Sequence, residues 1–592
     1  MFAGVLVVVA VLAERAAPVT MVQGLTPVDA RVELGLDRPS FFLGENVLIH
    51  YCVRNVSLFP MKIAIGGDYR GSSRSLRFEF AVTNERGDLM PDPDPSGFGL
   101  GGLGGTPVIA AGERWCQSLP LARYARIDEP GAYSISVTHD LGWPPGTAPV
   151  GRADVRLVQP TPDEAEAVVA AMEQLPPRAG VNMTGRLDDP YADFSALRYG
   201  VFLEPLARRV AGGSVAAVSG VGAIPTPEAT LLLIELLRHS DPDVSRASAR
   251  QLSTRLPEPA PETGLPRRNP LADDPRDPRR YLRDRSWRMD FVPDVRAAAR
   301  RLLGFEDLDS MIAGALLAQS VGQPGDAAAL AAALDALIAQ TVAGAFDPKS
   351  YPQPRDAAQE LLHAAQALLA RGHPLPLLAV TPADAMFILK AVEQGRQPDG
   401  WRDVIVRALA HDVPFVREFG IRAIPSGEAD YFMAGLRGSF DVGDIDVRSA
   451  ACRLVGRERL TALKDQVVGI VRLEKNWLLL DSAVDAVRQL GTLSEALEPL
   501  TYRLAEKDMV FDVLTRLTQV FEPHGVSSEN VAYDLKLGAE LGIRWRSFIS
   551  GRRADVDAGR RISLDEPDLP MDLLPPGYRL DRRGKPDWPP RR

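Results

Sequence analysis

The stretch that decides the fold is DIDVRSAACRLVG, which runs from Asp444 to Gly456 and contains one of the three cysteines in the chain. Acidic residues typical of a turn lead directly into an alanine-rich apolar segment, a pattern that predicts the start of a helix. Cys452 is either a reactive thiol or a small apolar residue in a packed helix. The choice depends on whether this stretch recurs along the chain.

Three other segments repeat the pattern, and a fourth is a weaker copy. Each has a short turn, then a valine (a leucine in the weaker copy), then small and branched residues at helical spacing. The segments are DPDVSRASARQL at 241–252, VPDVRAAARRLL at 292–303, VPFVREFGIRAI at 413–424 and the weaker NWLLLDSAVDAV at 476–487. Val416, Val447 and Leu480 follow one another at nearly equal intervals. A helical repeat of roughly 30 residues predicts an α-solenoid.

These segments resemble the D-x-x-V-R-x-x-A-x-x-x-L helix of the HEAT-repeat family. The resemblance implies that this helix lies inside the solenoid, where small residues let neighbouring helices approach closely. It also implies that Cys452 is a buried, inert residue of the core rather than a reactive thiol.

The predicted helices extend from about residue 160 to 525. Three of them begin with a threonine N-cap followed by a proline at the first helical position, at Thr161, Thr226 and Thr381. A proline-rich, charged insertion at 257–290 interrupts the array. Residues 526–592 predict an amphipathic helix near 527–550 and then an extended tail, which we expect to cap the last repeats.

From about residue 27 to 158, apolar and polar residues alternate, which predicts β-strands with one buried face. Turns rich in glycine and proline separate them, so the pattern indicates seven or so short antiparallel strands in a sandwich. The alternating apolar positions are Val32, Leu34 and Leu36; Val47, Ile49, Tyr51 and Val53; Leu76, Phe78, Phe80 and Val82; and Tyr133, Ile135 and Val137.

The sequence EPGAY, Glu129 to Tyr133, lies just before a predicted strand. It resembles the tyrosine corner of immunoglobulin-like folds, in which a tyrosine hydroxyl binds nearby backbone. The whole segment is similar to bacterial immunoglobulin-like modules, including the sandwich of BsuPI-type proteinase inhibitors. The predicted fold class is therefore multidomain, with an N-terminal all-β immunoglobulin-like sandwich at 27–158 followed by an all-α HEAT-like solenoid at 160–525.

The two remaining cysteines lie in the predicted sandwich. Cys52 is out of phase with the buried positions of its strand, and Cys116 is out of phase with Trp115, so both are expected to point away from the core. In the immunoglobulin-like resemblance the two strands are neighbours in one sheet, which implies a Cys52–Cys116 disulfide. Two unrelated thiols are the alternative, and a one-residue error in register would produce them.

Phe2 to Leu12 is a short, uncharged apolar run. It is too short to span a bilayer and has the length of the hydrophobic part of a signal peptide. No basic residue precedes it, which leaves a buried strand or a misplaced start codon as alternatives. With residues 1–25 as a signal peptide the protein would be periplasmic or secreted, and otherwise cytoplasmic. No later segment is expected to cross a membrane.

No sequence motif predicts catalysis, a cofactor or a metal. GFGLGG at Gly97–Gly102 satisfies G-x-G-x-x-G, but no helix follows it, so a surface loop is favoured over a dinucleotide site. DPDPSG at Asp92–Gly97 begins like a calcium loop, yet Leu103 stands where glutamate is needed, which favours an ordinary turn. The seven histidines show no metal-binding spacing.

The 257–290 insertion places Tyr281 and Trp287 among eight arginines and five aspartates. Nucleic-acid binding would use such residues, but the net charge of −9 favours a salt-bridged lead-in to the next helix. We interpret the chain as a non-enzymatic, exported scaffold that binds a protein or peptide through its solenoid surface and its sandwich. A proteinase-inhibitor-like sandwich, which would need an exposed and ordered loop, and an enzyme with a site in the solenoid groove are the alternatives.

Overall fold

The computed structural model describes residues 29–65, 74–75, 77–93, 107–139, 141–143, 149–175, 194–255, 288–347, 350–374, 379–522, 526–528, 535–563, 566, 572–575 and 578–580. A strand-rich N-terminal part is followed by about 20 helices, and the chain divides into two compact units, residues 1–299 and 300–592. Four predicted features lie outside the described residues. They are the apolar run Phe2–Leu12, the loop Gly97–Gly102, most of the 257–290 insertion and most of the tail after residue 565.

Nine strands are described in the N-terminal part. They are β1 (Ala30–Gly35), β2 (Ser40–Phe42), β3 (Leu48–Asn55), β4 (Met61–Lys62), β5 (Phe78–Asn84), β6 (Val108–Ile109), β7 (Arg114–Pro120), β8 (Gly131–His139) and β9 (Val150–Val158). One sheet has the order β1-β3-β7, a second has the order β2-β9-β8-β5, and β4 pairs with β6. Among these strands every pairing is antiparallel except that of β2 with β9.

The alternating apolar residues of these strands form one hydrophobic cluster to which both larger sheets contribute. The buried positions predicted here are confirmed, since Val47, just before β3, and Ile49, Tyr51 and Val53 within it are at most 4% exposed, although Leu48 on the other face is also buried at 7%. The Tyr133 hydroxyl donates a hydrogen bond to the Glu129 carbonyl at 2.7 Å, the contact that the EPGAY sequence predicts.

Six described helices follow these strands: α1 (Pro162–Glu173), α2 (Leu203–Ala211), α3 (Val215–Ala223), α4 (Pro227–Leu236), α5 (Pro242–Arg255) and α6 (Arg288–Leu303). Helices α1 to α5 lie in the first unit, and α6 crosses from the first unit into the second. The predicted caps are confirmed. Thr161 forms a capping box with Glu164, and Thr226 accepts a hydrogen bond from the Ala229 backbone N–H.

The second unit is mainly helical: α7 (Leu308–Val321), α8 (Ala327–Val342), α9 (Pro354–Ala370), α10 (Pro382–Glu393), α11 (Trp401–Leu409), α12 (Pro414–Arg422), α13 (Met433–Phe440), α14 (Ile445–Glu458), α15 (Lys464–Leu473), α16 (Trp477–Gln489), α17 (Leu493–Tyr502), α18 (Val510–Leu517), α19 (Leu535–Gly551) and α20 (Arg553–Asp557). Thr381 caps α10 as predicted.

The repeated segments are helices α5, α6, α12, α14 and α16. Their shared branched residue is at most 4% exposed in every copy, at Val244, Val295, Val416, Val447 and Leu480. Helix α14 packs against α12 on one side and α16 on the other. A Cβ on Gly456 would lie 2.9 Å from the Ala486 Cα, so this close approach of α14 and α16 requires glycine.

The end of the helical part differs from the prediction. The described helices give way to strand β10 (Phe521–Glu522) before residue 525, and strand β11 (Val526–Ser528) occupies the predicted start of the C-terminal helix, which begins only at Leu535. Strand β10 pairs in parallel with β12 (Ile562–Ser563), and β11 pairs with β13 (Tyr578–Leu580). The partners are supplied by the tail, far along the chain, so local periodicity could not reveal them.

Among the described residues, one segment is long and apolar enough to cross a membrane by length and composition alone, Pro324–Val342. The sequence pattern did not single it out. Core helices meet the same criterion, and Leu330, Leu334 and Leu337 of this helix are buried within the protein.

Candidate functional site

Cys452 lies inside α14 with no exposed surface and takes no part in a disulfide. Burial raises the pKa of its thiol to about 12, against the opposing influence of Arg448 and Arg453. A thiol with this pKa is protonated at neutral pH and is a poor nucleophile. The structure therefore places Cys452 in the core, where the repeat predicts a packing residue.

Cys52 on β3 and Cys116 on β7 stand directly opposite each other in the β1-β3-β7 sheet. Their Cα atoms are 4.1 Å apart, and their sulfur atoms, 2.10 Å apart, form a disulfide. Cys116 is exposed and Cys52 half-buried, whereas Tyr51 and Val53 on the opposite face of β3 are fully buried. The structure thus brings together, on the outer face of the sheet, the two cysteines that the resemblance pairs.

The same outer face carries three arginines side by side. Arg31, Arg54 and Arg114 are register partners across β1, β3 and β7, and all three are exposed. Neighbouring strands are about 4.8 Å apart, so the three side chains start within about 10 Å of one another. Within the described part of the chain, none of the three guanidinium groups has a hydrogen bond or ion pair. We call these residues the arginine row.

Asn55, the last residue of β3, begins the segment Asn55–Pro60, which we call the Asn55 loop. The fully buried Asn55 side chain donates hydrogen bonds to the carbonyls of Phe59, at 2.7 Å, and Ile109, at 2.9 Å, and accepts one from the Ser57 backbone N–H at 3.0 Å. These contacts order the backbone of the loop. Its apolar side chains nevertheless face solvent, with Val56 42%, Leu58 88% and Phe59 53% exposed.

His50, also on the outer face, joins Asp37 and Ser118 in a hydrogen-bonded chain. Its Nε2 lies 2.9 Å from an Asp37 carboxylate oxygen, and its Nδ1 lies 2.9 Å from the Ser118 hydroxyl. These are the residue types of a serine-hydrolase triad, but there the serine faces Nε2 and the buried aspartate faces Nδ1. Here the serine faces Nδ1 and the aspartate faces Nε2, and Asp37 is 64% exposed. We interpret the arrangement as a surface hydrogen-bond chain.

In the second unit, a set of exposed apolar residues recurs with the repeat. Ile445, Leu478 and Phe511 are 37%, 51% and 49% exposed and follow one another at equal intervals along the chain. Each lies two positions before a fully buried residue, these residues being Val447, Leu480 and Val513. Their helices α14, α16 and α18 pack in that order, so equivalent positions recur along one edge. We call these three residues, with the neighbouring Trp477, the apolar row.

A group of charged residues links the starts of α9 and α14 with the middle of α12. Arg355 binds both carboxylate oxygens of Glu418, at 2.5 and 2.8 Å, and lies 3.7 Å from Asp446. Burial raises the pKa of Asp446, with Glu418 adding to the effect of burial and Arg355 opposing it. Since Arg355 contacts both carboxylates, we interpret the group as one that orients helices rather than as a set of catalytic bases.

Sequence reasoning missed both rows and the Asn55 loop. Alternation shows which face of a strand an arginine occupies, but only the register aligns Arg31, Arg54 and Arg114. The pattern NVSLFP at 55–60 carried a usable signal, because an asparagine before a run of apolar residues between strands is typical of a side-chain-stabilised turn. The apolar row could have been found by extending the repeat interval from Leu478 to Phe511.

The calcium-like segment shows no ligand site among the residues that the structure describes. Asp92, the first residue of the calcium-like segment, is bound by Arg74 at 2.7 Å, and residues 94–97 lie outside the described residues. In the described part of the chain, no group of three or more His, Cys, Asp or Glu side chains is placed to hold a metal ion. No family model matches the chain, and no curated protein matches it.

Proposed function

We propose that the chain is an exported two-part interaction protein, in which an immunoglobulin-like sandwich precedes a HEAT-like α-solenoid. The sandwich is supported by the core that the two larger sheets share and by the Tyr133 hydrogen bond. The solenoid is supported by the recurring buried valine and by the packing of α12, α14 and α16 in order. Export is supported by the Cys52–Cys116 disulfide, a bond typical of oxidising compartments.

The function that the geometry supports best is binding of a protein partner through the solenoid surface. The apolar row is the observation that carries this proposal. Single exposed apolar residues are ordinary, whereas grouped ones mark interaction sites. Equivalent positions of successive repeats form the extended binding surfaces of solenoid proteins. A row that recurs once per repeat, from Ile445 through Leu478 to Phe511, has this arrangement.

The test is affinity capture from cells that express the protein natively, with proteins identified by mass spectrometry. The bait is the native chain, a Trp477→Ser/Leu478→Ser variant, or a Leu473→Ser control. Leu473 is 81% exposed but lies outside the row. We expect the same partner with the native chain and the control, and its loss with the double variant. Equal recovery with all three baits would show that the row is not the binding surface.

A proteinase-inhibitor-like role is the second candidate, and the Asn55 loop is the observation that favours it. An inhibitory loop must be ordered before it binds, because ordering on binding weakens affinity. Leu58, 88% exposed on a backbone held by a buried side chain, meets this requirement. Residual activity of a panel of serine and cysteine proteases is the assay. Leu58→Asp should abolish inhibition and Leu89→Asp, a 65% exposed control, should not; no inhibition by the native chain contradicts the role.

A further inference from the structure

We propose that the arginine row and the Asn55 loop together form a second binding site, which takes an acidic polypeptide segment that also carries an apolar side chain. The inference rests on the proposed function in one respect, namely that the chain binds proteins. It concerns the first unit and is independent of the apolar row.

The arginine row is electrostatically unusual. Like charges at directly opposite positions destabilise a sheet, and here three stand in one line, from Arg31 through Arg54 to Arg114. Glu33 is exposed in the next line of the same face and Asp29 lies two residues before Arg31, but within the described residues neither carboxylate pairs with an arginine of the row. The row also stands out because the chain as a whole has a net charge of −9. Carboxylates from a partner would neutralise this repulsion.

The row lies beside the apolar tip of the Asn55 loop. Arg54 immediately precedes Asn55, and Arg114 is the register partner of Arg54. The first residue of the tip, Val56, donates its backbone N–H to the Asp29 carbonyl at 2.8 Å, which fixes the loop beside the start of β1. Basic and exposed apolar side chains therefore meet at one end of the β1-β3-β7 sheet.

The chemistry of the site selects its ligand. Guanidinium groups bind carboxylates in pairs of parallel hydrogen bonds, and a row of about 10 Å has room for two or three of them. Leu58 and Phe59 offer apolar surface to a leucine or an aromatic side chain of the same segment. Nucleic acid is disfavoured, because its closely spaced charges would meet only three arginines on an acidic chain.

A phage-displayed random peptide library, selected on the purified full chain, is the probe. We expect enrichment of peptides that combine Asp or Glu with Leu, Phe, Tyr or Trp. Fluorescence anisotropy of an enriched peptide then compares variants. Arg54→Gln/Arg114→Gln and Leu58→Ser/Phe59→Ser should each weaken binding by about tenfold or more. The charge-matched control Arg152→Gln/Arg156→Gln alters two exposed arginines of β9 and should leave binding unchanged.

Enrichment of peptides without acidic residues, or equal binding by all variants, would overturn the proposal. Tighter binding of inorganic polyphosphate than of any enriched peptide would overturn the assignment to a polypeptide. The Trp477→Ser/Leu478→Ser variant separates the two proposals, since it should keep peptide binding even if it loses the partner of the apolar row. Unchanged melting temperatures would show that each variant is folded.

Discussion

Reducing the Cys52–Cys116 bond should lower the stability of the N-terminal part by an amount set mainly by the loop that the bond closes. The cysteines are 64 residues apart. In the chain-entropy model, a loop of this length restricts the unfolded chain by about 14 cal/mol/K, or about 4 kcal/mol at 25 °C. The measured loss should be at most this value, because real denatured chains retain some structure.

The assay is urea unfolding with and without reductant, followed by intrinsic fluorescence. The native chain should lose stability on reduction, and a Cys52→Ala/Cys116→Ala variant should start at the lower stability and show no response to reductant. Cys452→Ala is the matched control. It removes a buried thiol, should cost about 1 kcal/mol for the small cavity, and should keep the full response to reductant.

Two results would refute this reasoning. Identical unfolding curves for the oxidised and reduced native chain would show that the bond does not restrain the unfolded state. Free-thiol labelling of both Cys52 and Cys116 in protein taken from its native compartment would show that the bond is not formed there, and would also contradict export.

Three further outcomes follow from the packing. Val447→Asp, which buries an unpaired carboxylate, should cost more than about 3 kcal/mol in chemical unfolding, whereas Ile445→Asp, two positions away and exposed, should cost less than about 0.5 kcal/mol. Asn55→Ala should cost about 2–3 kcal/mol and expose the loop to proteolysis; Asn84→Ala, which removes similar hydrogen bonds at a less buried turn, should cost under about 1 kcal/mol. Burial alone would raise the pKa of Glu393, but Lys390 and Arg422 hold this pKa below the usual glutamate value. The stability that the ionised group contributes is therefore present at neutral pH and should be lost as the pH falls through its lowered folded-state pKa, and Glu393→Gln should reduce the loss measured in acid unfolding. A larger loss of stability in acid for Glu393→Gln than for the native chain would contradict the last prediction.

The elements that local pattern controls could be predicted from the sequence. The helix of Val447 and Cys452 is set by its periodicity and by the Asp444 cap, whose side chain accepts a hydrogen bond from the Val447 N–H. The caps at Thr161, Thr226 and Thr381 depend on a few adjacent residues, and the same is true of the alternation in β3. Such features involve no long-range partner.

Features that depend on distant partners could not be predicted in the same way. The parallel pairing of β2 with β9 and the strands β10 to β13 join segments far apart in sequence. The arginine row needs the register of three strands, and the exposure of Leu478 needs the packing of its neighbours. The pairing of Cys52 with Cys116 could be predicted only because the immunoglobulin-like resemblance makes their two strands neighbours in one sheet.

The most direct test of partner binding through the apolar row is photo-cross-linking in cells that express the protein natively. A photoreactive phenylalanine analogue replaces, one at a time, Ile445, Leu478, Phe511 and the control residue Leu473. Partner binding through the row predicts that the three row positions cross-link to one and the same protein and that position 473 does not. Cross-linking at none of the row positions, or equally at position 473, would contradict it.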